Sequence, residues 1–277
     1  MIPKYDDSLR EIFYLVIPFF SHYCTQRIAM NYLFYFGERL YRTNFKVYYS
    51  LYSFYKKITD RHERRLISQL IKPGAVVLDV GANIGFYSVY FSGLAGGNGM
   101  VHCFEPDDLN FEHLKELTKN LSNVRLNKKA VTDSSQPLKL YKSHRLNVDH
   151  RTYPVDEYET SYEVQATSID QYVNGKYKVY FIKMDIQGAE YPALKGMKET
   201  LFANPDIVLL MELAPPVLKE AGASVRAIFE FIHSLDFKLF DFNSKEITGV
   251  DVSKYDAYTR DQFENVIVSK RPPLLKR

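Results

Sequence analysis

Apolar positions along this chain follow two rhythms. Short runs rich in Val, Ile, Leu and Phe at 75–80, 100–104, 124–131, 179–184 and 206–212 predict strands. Between them, stretches at 84–95, 107–121 and 189–203 place apolar residues three and four apart, which predicts helices. In the second of these, Phe111, Leu114, Leu117 and Leu121 fall on one face, and Asp107 or Asp108 stands where an N-cap belongs. Alternation of strand and helix predicts a parallel sheet. Two further apolar runs, 237–242 and 265–269, predict additional strands whose direction the pattern leaves open. Upstream, 60–71 predicts a helix with Leu66, Ile67, Leu70 and Ile71 on its inner face, ended by Pro73-Gly74.

The junction Val76-Val77-Leu78-Asp79-Val80-Gly81-Ala82-Asn83-Ile84-Gly85-Phe86 reads as strand, ligand loop and helix. Glycines at 81 and 85 permit a sharp turn and close approach to a ligand. Their G-x-x-x-G spacing departs from the G-x-G-x-x-G that admits a pyrophosphate, so a dinucleotide is not the expected ligand. Asp79 at the strand end suits a ligand carrying positive charge, such as S-adenosylmethionine (SAM). The next predicted strand ends in Phe104-Glu105-Pro106, and an acid there can accept hydrogen bonds from both ribose hydroxyls. The plainer reading is that Asp79 and Glu105 only cap the helices that follow.

A third strand end, Ile182-Lys183-Met184-Asp185-Ile186-Gln187-Gly188-Ala189-Glu190, is followed by Ala193-Leu194-Lys195-Gly196. With the GAN-x-G loop, the F-E-P strand end and Val208-Leu209-Leu210-Met211-Glu212-Leu213, this order of motifs resembles the FkbM family of SAM-dependent methyltransferases over roughly residues 70–270. The resemblance implies a class I, Rossmann-like α/β methyltransferase fold. Its sheet would be seven-stranded and mostly parallel, with an antiparallel last strand supplied by the runs at 237–242 and 265–269. It also implies SAM as methyl donor and a hydroxyl as acceptor. The expected donor site comprises Asp79, Gly81, Ala82, Asn83, Gly85, Glu105, Pro106 and Asp185. Gln187 departs from the family, which commonly has an acid at that position.

Methyl transfer to oxygen needs two positioned reactants and a more nucleophilic hydroxyl. Asp185 and Glu212 are the candidate catalytic carboxylates. Asp185 could instead hold the methionine amino group, with Glu212 structuring its loop. A divalent cation bridging the two is the less favoured reading, and no metal site is expected. The polar stretch 142–154 is long enough to wall the acceptor, and its Asn147, Asp149, His150 and Arg151 suit a polyhydroxylated substrate such as a sugar. His150 is a third candidate base, although a loop histidine is more often an ordinary surface residue.

Composition fits one enzyme domain with an extension: 277 residues, 46% hydrophobic, without a Ser/Gly- or Pro-rich linker. The expected division is a helical, aromatic-rich, basic extension over 1–72 and a methyltransferase domain over 73–277. Residues 1–55 hold 17 of the chain's 41 Tyr and Phe, and residues 1–72 carry a net charge of +6 against +3 for the whole. Tyr32, Tyr35 and Phe36, then Phe45, Tyr48, Tyr49, Tyr52, Phe54 and Tyr55, recur at helical spacing. Such aromatics can pack against the catalytic domain or a second copy of the chain, cover the acceptor, or rest on anionic lipid headgroups. The Ile12–Phe20 run is interrupted by Pro18 and too short to span a bilayer. Two cysteines, Cys24 and Cys103, cannot make a zinc site, so a reducing cytoplasm, with or without contact at the inner membrane surface, is the expected compartment. The leading function is O-methylation of a sugar, glycan or other small hydroxylated metabolite. The alternatives are an RNA-modifying methyltransferase and a catalytically silent SAM-fold binding protein. A net charge of −3 beyond residue 72 lacks the basic footprint that nucleic acid demands.

Overall fold

The computed structural model describes residues 37–142, 150–154, 158, 160–259 and 262–273. The Ile12–Phe20 run, Cys24, Tyr32, Tyr35, Phe36, Asn147 and Asp149 lie outside those residues. The chain divides into two compact units, residues 1–65 and 66–277. In the first, residues 37–43 are helical and α1 spans Phe45–Thr59. Asn44 caps α1 by accepting from Val47 N, and buried Tyr41 meets Phe45 and Tyr48 edge-on. Helix α2, Arg61–Leu70, crosses the division and buries Leu66 and Ile67.

The second unit is built on one large sheet. In chain order its elements are β1 (Val76–Val80), α3 (Phe86–Ala95), β2 (Met100–Phe104), α4 (Asp108–Thr118), β3 (Val124–Asn127), β4 (Ala130–Val131), β5 (Leu138–Lys142), β6 (Thr160–Val164), β7 (Ala166–Thr167) and α5 (Ile169–Val173). There follow β8 (Val179–Met184), α6 (Glu190–Lys195), α7 (Lys198–Ala203), β9 (Val208–Leu213), α8 (Pro215–Glu220), α9 (Val225–Ser234), β10 (Lys238–Phe240), β11 (Glu246–Ile247), α10 (Gly249–Val252), a 3-10 turn (Ser253–Ala257) and β12 (Glu264–Ser269). The sheet order is β11-β10-β12-β9-β8-β1-β2-β3. Strands β3, β2, β1, β8 and β9 run parallel, whereas β12 is antiparallel to both β9 and β10. This is the class I methyltransferase architecture. An eighth, two-residue strand, β11, extends the expected seven. It exists because Asp241 folds the chain back, its carboxylate accepting from Asn243 N and Lys245 N while its own N–H bonds Lys245 O.

The central strands are buried on both faces, which is why they read as unbroken apolar runs. Leu78, Val80, Phe104, Ile182, Met184, Leu209 and Met211 belong to one core cluster with Leu194 and Leu201 from α6 and α7. Two expected elements divide. The 124–131 strand leaves the main sheet after Asn127, because Ala130 N bonds Gln165 O and β4 pairs with β7 instead. The 189–203 helix breaks at Gly196, whose carbonyl accepts from Asp170 N, while the Asp170 carboxylate caps α7 through Glu199 N and Thr200 N. A Cβ at Gly196 would lie 2.1 Å from the Thr132 carbonyl oxygen, so this turn tolerates only glycine. The β5–β6 hairpin, absent from the sequence pattern, flanks the 142–154 stretch.

Candidate active site where β1 meets β8

Strand order reverses between β1 and β8: the chain winds outward through β2 and β3, then returns to build β8 and β9 on the other side. Open α/β sheets bind ligands beyond the carboxyl ends of strands at such a switch. Here the two loops interlock. Gly81 N and Ala82 N both donate to Phe104 O, at 3.0 and 2.9 Å, folding the β1 loop across the end of β2. Asp185 N donates to Val80 O at 3.0 Å. Gly81 adopts φ +82, and a Cβ there would sit 1.9 Å from the Asp185 carbonyl oxygen. At Gly85, φ +95, a Cβ would meet Leu114 Cδ1 at 2.7 Å. Protein atoms therefore occupy the room that the absent side chains leave at both glycines.

Glu105 lies directly beneath this loop. Its Oε2 accepts from Asn83 N at 2.8 Å and its Oε1 from Asp107 N at 2.9 Å, with Asn83 held at φ +50. Burial pushes its carboxyl up to about 8, against the opposing pull of those N–H donors. Half-buried Pro106 follows and leads into α4, which Asp107 caps through Leu109 N and Asn110 N.

Asp79 points inward instead of toward the loop mouth. It is 1% exposed and accepts from Ser88 Oγ at 2.6 Å, fastening β1 to α3. Burial raises its carboxyl to about 6, with Lys183 and Ser88 opposing. Asp185 is accessible, with its side chain 36% exposed. Its Oδ2 accepts from buried Lys183 Nζ at 3.0 Å, and that ammonium also sits 4.9 Å from the Tyr87 ring centre. Gln187, at φ +52, donates through Nε2 to Asp185 Oδ1 at 3.1 Å and to Glu212 Oε1 at 3.4 Å. The structure thus brings the two candidate carboxylates together through the residue that departs from the family pattern. Among the described residues no cluster of three His, Cys, Asp or Glu could hold a metal ion.

His150 goes elsewhere. Its Nε2 is 3.7 Å from Asp107 Oδ2, an oxygen that also receives Lys142 Nζ at 2.9 Å and Tyr162 OH at 2.8 Å. Burial would raise Asp107, but Asn110 N–H, Lys142 and His150 outweigh it and hold that carboxyl below its usual range. Arg151 pairs with Glu220 of α8, and Tyr153 packs so that a Cβ on Gly188 would come within 2.9 Å of its ring. The end of the polar segment accordingly borders the Asp185–Gly188 loop.

Two participants escaped the sequence reading. Lys183 was visible as a lone charge in an apolar strand. Glu190 ends the GAE motif: it is buried, its Oε1 accepts from Ile186 N at 3.2 Å, its Oε2 is without a hydrogen-bond partner, and burial lifts it to about 7. A carboxyl that keeps its proton near neutrality leaves no bare buried anion there.

The sequence pattern of the methyltransferase FkbM domain matches residues 79–239. The 2-O-methyltransferase NoeI of Sinorhizobium fredii is 27% identical over 190 residues, covering 62% of this chain and 77% of that relative. Among solved structures, methyltransferase FkbM from Methylobacillus flagellatus aligns at 17% identity with a TM-score of 0.44, covering 70% of this chain and 43% of that one. A SAM-dependent methyltransferase from Aquifex aeolicus aligns at 17% identity with a TM-score of 0.41, covering 75% and 88%. The domain match opens at Asp79 and closes within β10, taking in every strand end around the switch point, and the chain belongs to the FkbM family of methyltransferases.

Proposed function

We propose that the chain transfers a methyl group from SAM to a hydroxyl of a sugar, a glycan or another small hydroxylated metabolite. The observation that carries this reading is the pair of carboxyl sites at one switch point: buried Glu105 on the donor side, and Asp185 joined to Glu212 through Gln187 on the acceptor side. Glu105 fits a ribose. Its two oxygens accept two backbone N–H groups, and the Asn110 side chain also bonds the carboxyl, which leaves capacity for a ribose hydroxyl. The 27% identity to a 2-O-methyltransferase supports oxygen as the acceptor atom.

SAM supplies an electrophilic methyl on a sulfonium. Glu105 fixes the ribose, the Gly81–Gly85 loop flanks the methionine moiety, and Asp185 or Glu212 takes the proton leaving the acceptor hydroxyl. Lys183 and Gln187 each occupy one Asp185 oxygen, which fixes the carboxylate's orientation toward the acceptor. The described end of the polar 142–154 segment, Arg151 with Tyr153, borders the Asp185–Gly188 loop and on this reading is the part of that segment that meets the acceptor.

Calorimetry with SAM and S-adenosylhomocysteine tests the donor site. Glu105→Ala removes hydrogen bonds to the ribose of about 0.5–1.5 kcal/mol each and should weaken binding about tenfold. Unchanged affinity refutes the assignment. Labelled methyl transfer to a panel of nucleotide sugars, lipid-linked glycans and hydroxylated metabolites tests the acceptor class; a labelled RNA, or no labelled product, overturns it.

A further inference from the structure

Helix α1 carries an exposed apolar stripe. Val47, Leu51, Phe54 and Ile58 are 44%, 59%, 64% and 46% exposed, and their 4-3-4 spacing sets them along one side of the helix. None of the helix's 15 residues is buried, and none is acidic. Exposed Lys46 and Lys57 border the stripe on the Phe54 side, with Ser50 between them. Lys56 lies away from the stripe, paired with Asp60. The aromatic residues Phe45, Tyr48, Tyr49 and Tyr52 contact one another on the opposite side.

We propose that this face of α1 docks on an anionic lipid surface. Large apolar side chains held in water along one line, edged by cations, form the pattern of a helix lying in a membrane interface. Charge selects lipid over a second copy of the chain. With no acid in the helix, two copies paired along the stripe offer Lys46 and Lys57 no carboxylate from α1, and an antiparallel pair sets lysine beside lysine. A phosphate-bearing headgroup layer satisfies both lysines while the acyl boundary takes the four apolar side chains. The interaction is peripheral: among the described residues no helix is long and apolar enough to cross a membrane.

The full chain should cosediment with vesicles of phosphatidylcholine mixed with phosphatidylglycerol, bind pure phosphatidylcholine at least tenfold more weakly, and release in high salt. The double variant Leu51→Ser, Phe54→Ser should lose vesicle binding at least tenfold while keeping its melting temperature, since both side chains are exposed. Lys46→Glu with Lys57→Glu should abolish the preference for anionic lipid. No binding to the mixed vesicles, or equal binding to both kinds, overturns the proposal. So does concentration-dependent self-association that the apolar double variant abolishes, which would make the occupant a second copy.

Discussion

Replacing Glu105 with Gln should alter stability in a way that depends on pH. Folded, the Glu105 carboxyl holds its proton up to about 8, against 4.5 unperturbed. Because the folded value is raised, its contribution is fully present below about pH 4.5 and is lost as pH rises toward about 8. The resulting loss is about 1 kcal/mol at pH 5 and about 3 kcal/mol at pH 7. Glutamine does not titrate and escapes that loss. It has its own cost: both carboxyl oxygens accept backbone N–H groups, and an amide can accept through only one end. The stranded donor costs about 1–3 kcal/mol at every pH. The variant should therefore match or fall below wild type at pH 5, then gain on it by about 2–3 kcal/mol by pH 7. Urea melts of both ligand-free proteins at pH 5, 6 and 7 measure this directly, because Asp79 and Glu190 titrate in both and cancel. A difference between the two proteins that stays constant across the range refutes a proton held on Glu105.

Gly81→Ala should be severely destabilising, by about 3 kcal/mol or more, since it combines a strained positive φ with a backbone clash; a melting temperature within a few degrees of wild type argues that the loop yields freely. Gln187→Glu replaces an amide donating to two carboxylates with a third carboxylate. Calcium should then raise the variant's melting temperature and leave wild type unmoved, and an equal response in both refutes the view that Gln187 stands where a cation otherwise would. His150→Ala should keep turnover at saturating acceptor, because His150 lies against Asp107 and not against Asp185. Loss of kcat with KM unchanged would make His150 the base in place of Asp185.

The sheet was legible because strands buried on both faces leave long apolar runs, and the acids at 79, 105, 185 and 212 mark their ends. What escaped depends on partners distant in sequence. The break at Gly196 follows from a hydrogen bond to Asp170, 26 positions earlier, and from the Thr132 carbonyl. The β5–β6 hairpin rests on a small cluster of Ala130, Leu140, Val164 and Ala166, too sparse to mark its strands as periodic. Asp79, from its place at the strand end, suggested a carboxylate facing a positively charged ligand, yet its orientation is set by Ser88, nine residues on and inside the next helix.

Gly81 and Asp185 show why the β1 loop and the end of β8 behave as one unit. The β1 loop is pinned to β2 by Gly81 and Ala82 N–H groups, to Glu105 by Asn83 N–H, and to β8 by the contact in which the Asp185 carbonyl fills the space of the missing Cβ. All of these use loop backbone, so the separation between the Glu105 carboxyl and the Asp185 backbone does not depend on the Asp185 side chain. The Asp185 side chain can therefore be altered without moving the Glu105 carboxyl, whereas any side chain at Gly81 displaces both loops at once. Under the proposed roles, that asymmetry separates a residue that reacts from a residue that holds the reactants in register, and it places the glycine, which has no chemistry of its own, among the positions on which methyl transfer depends most.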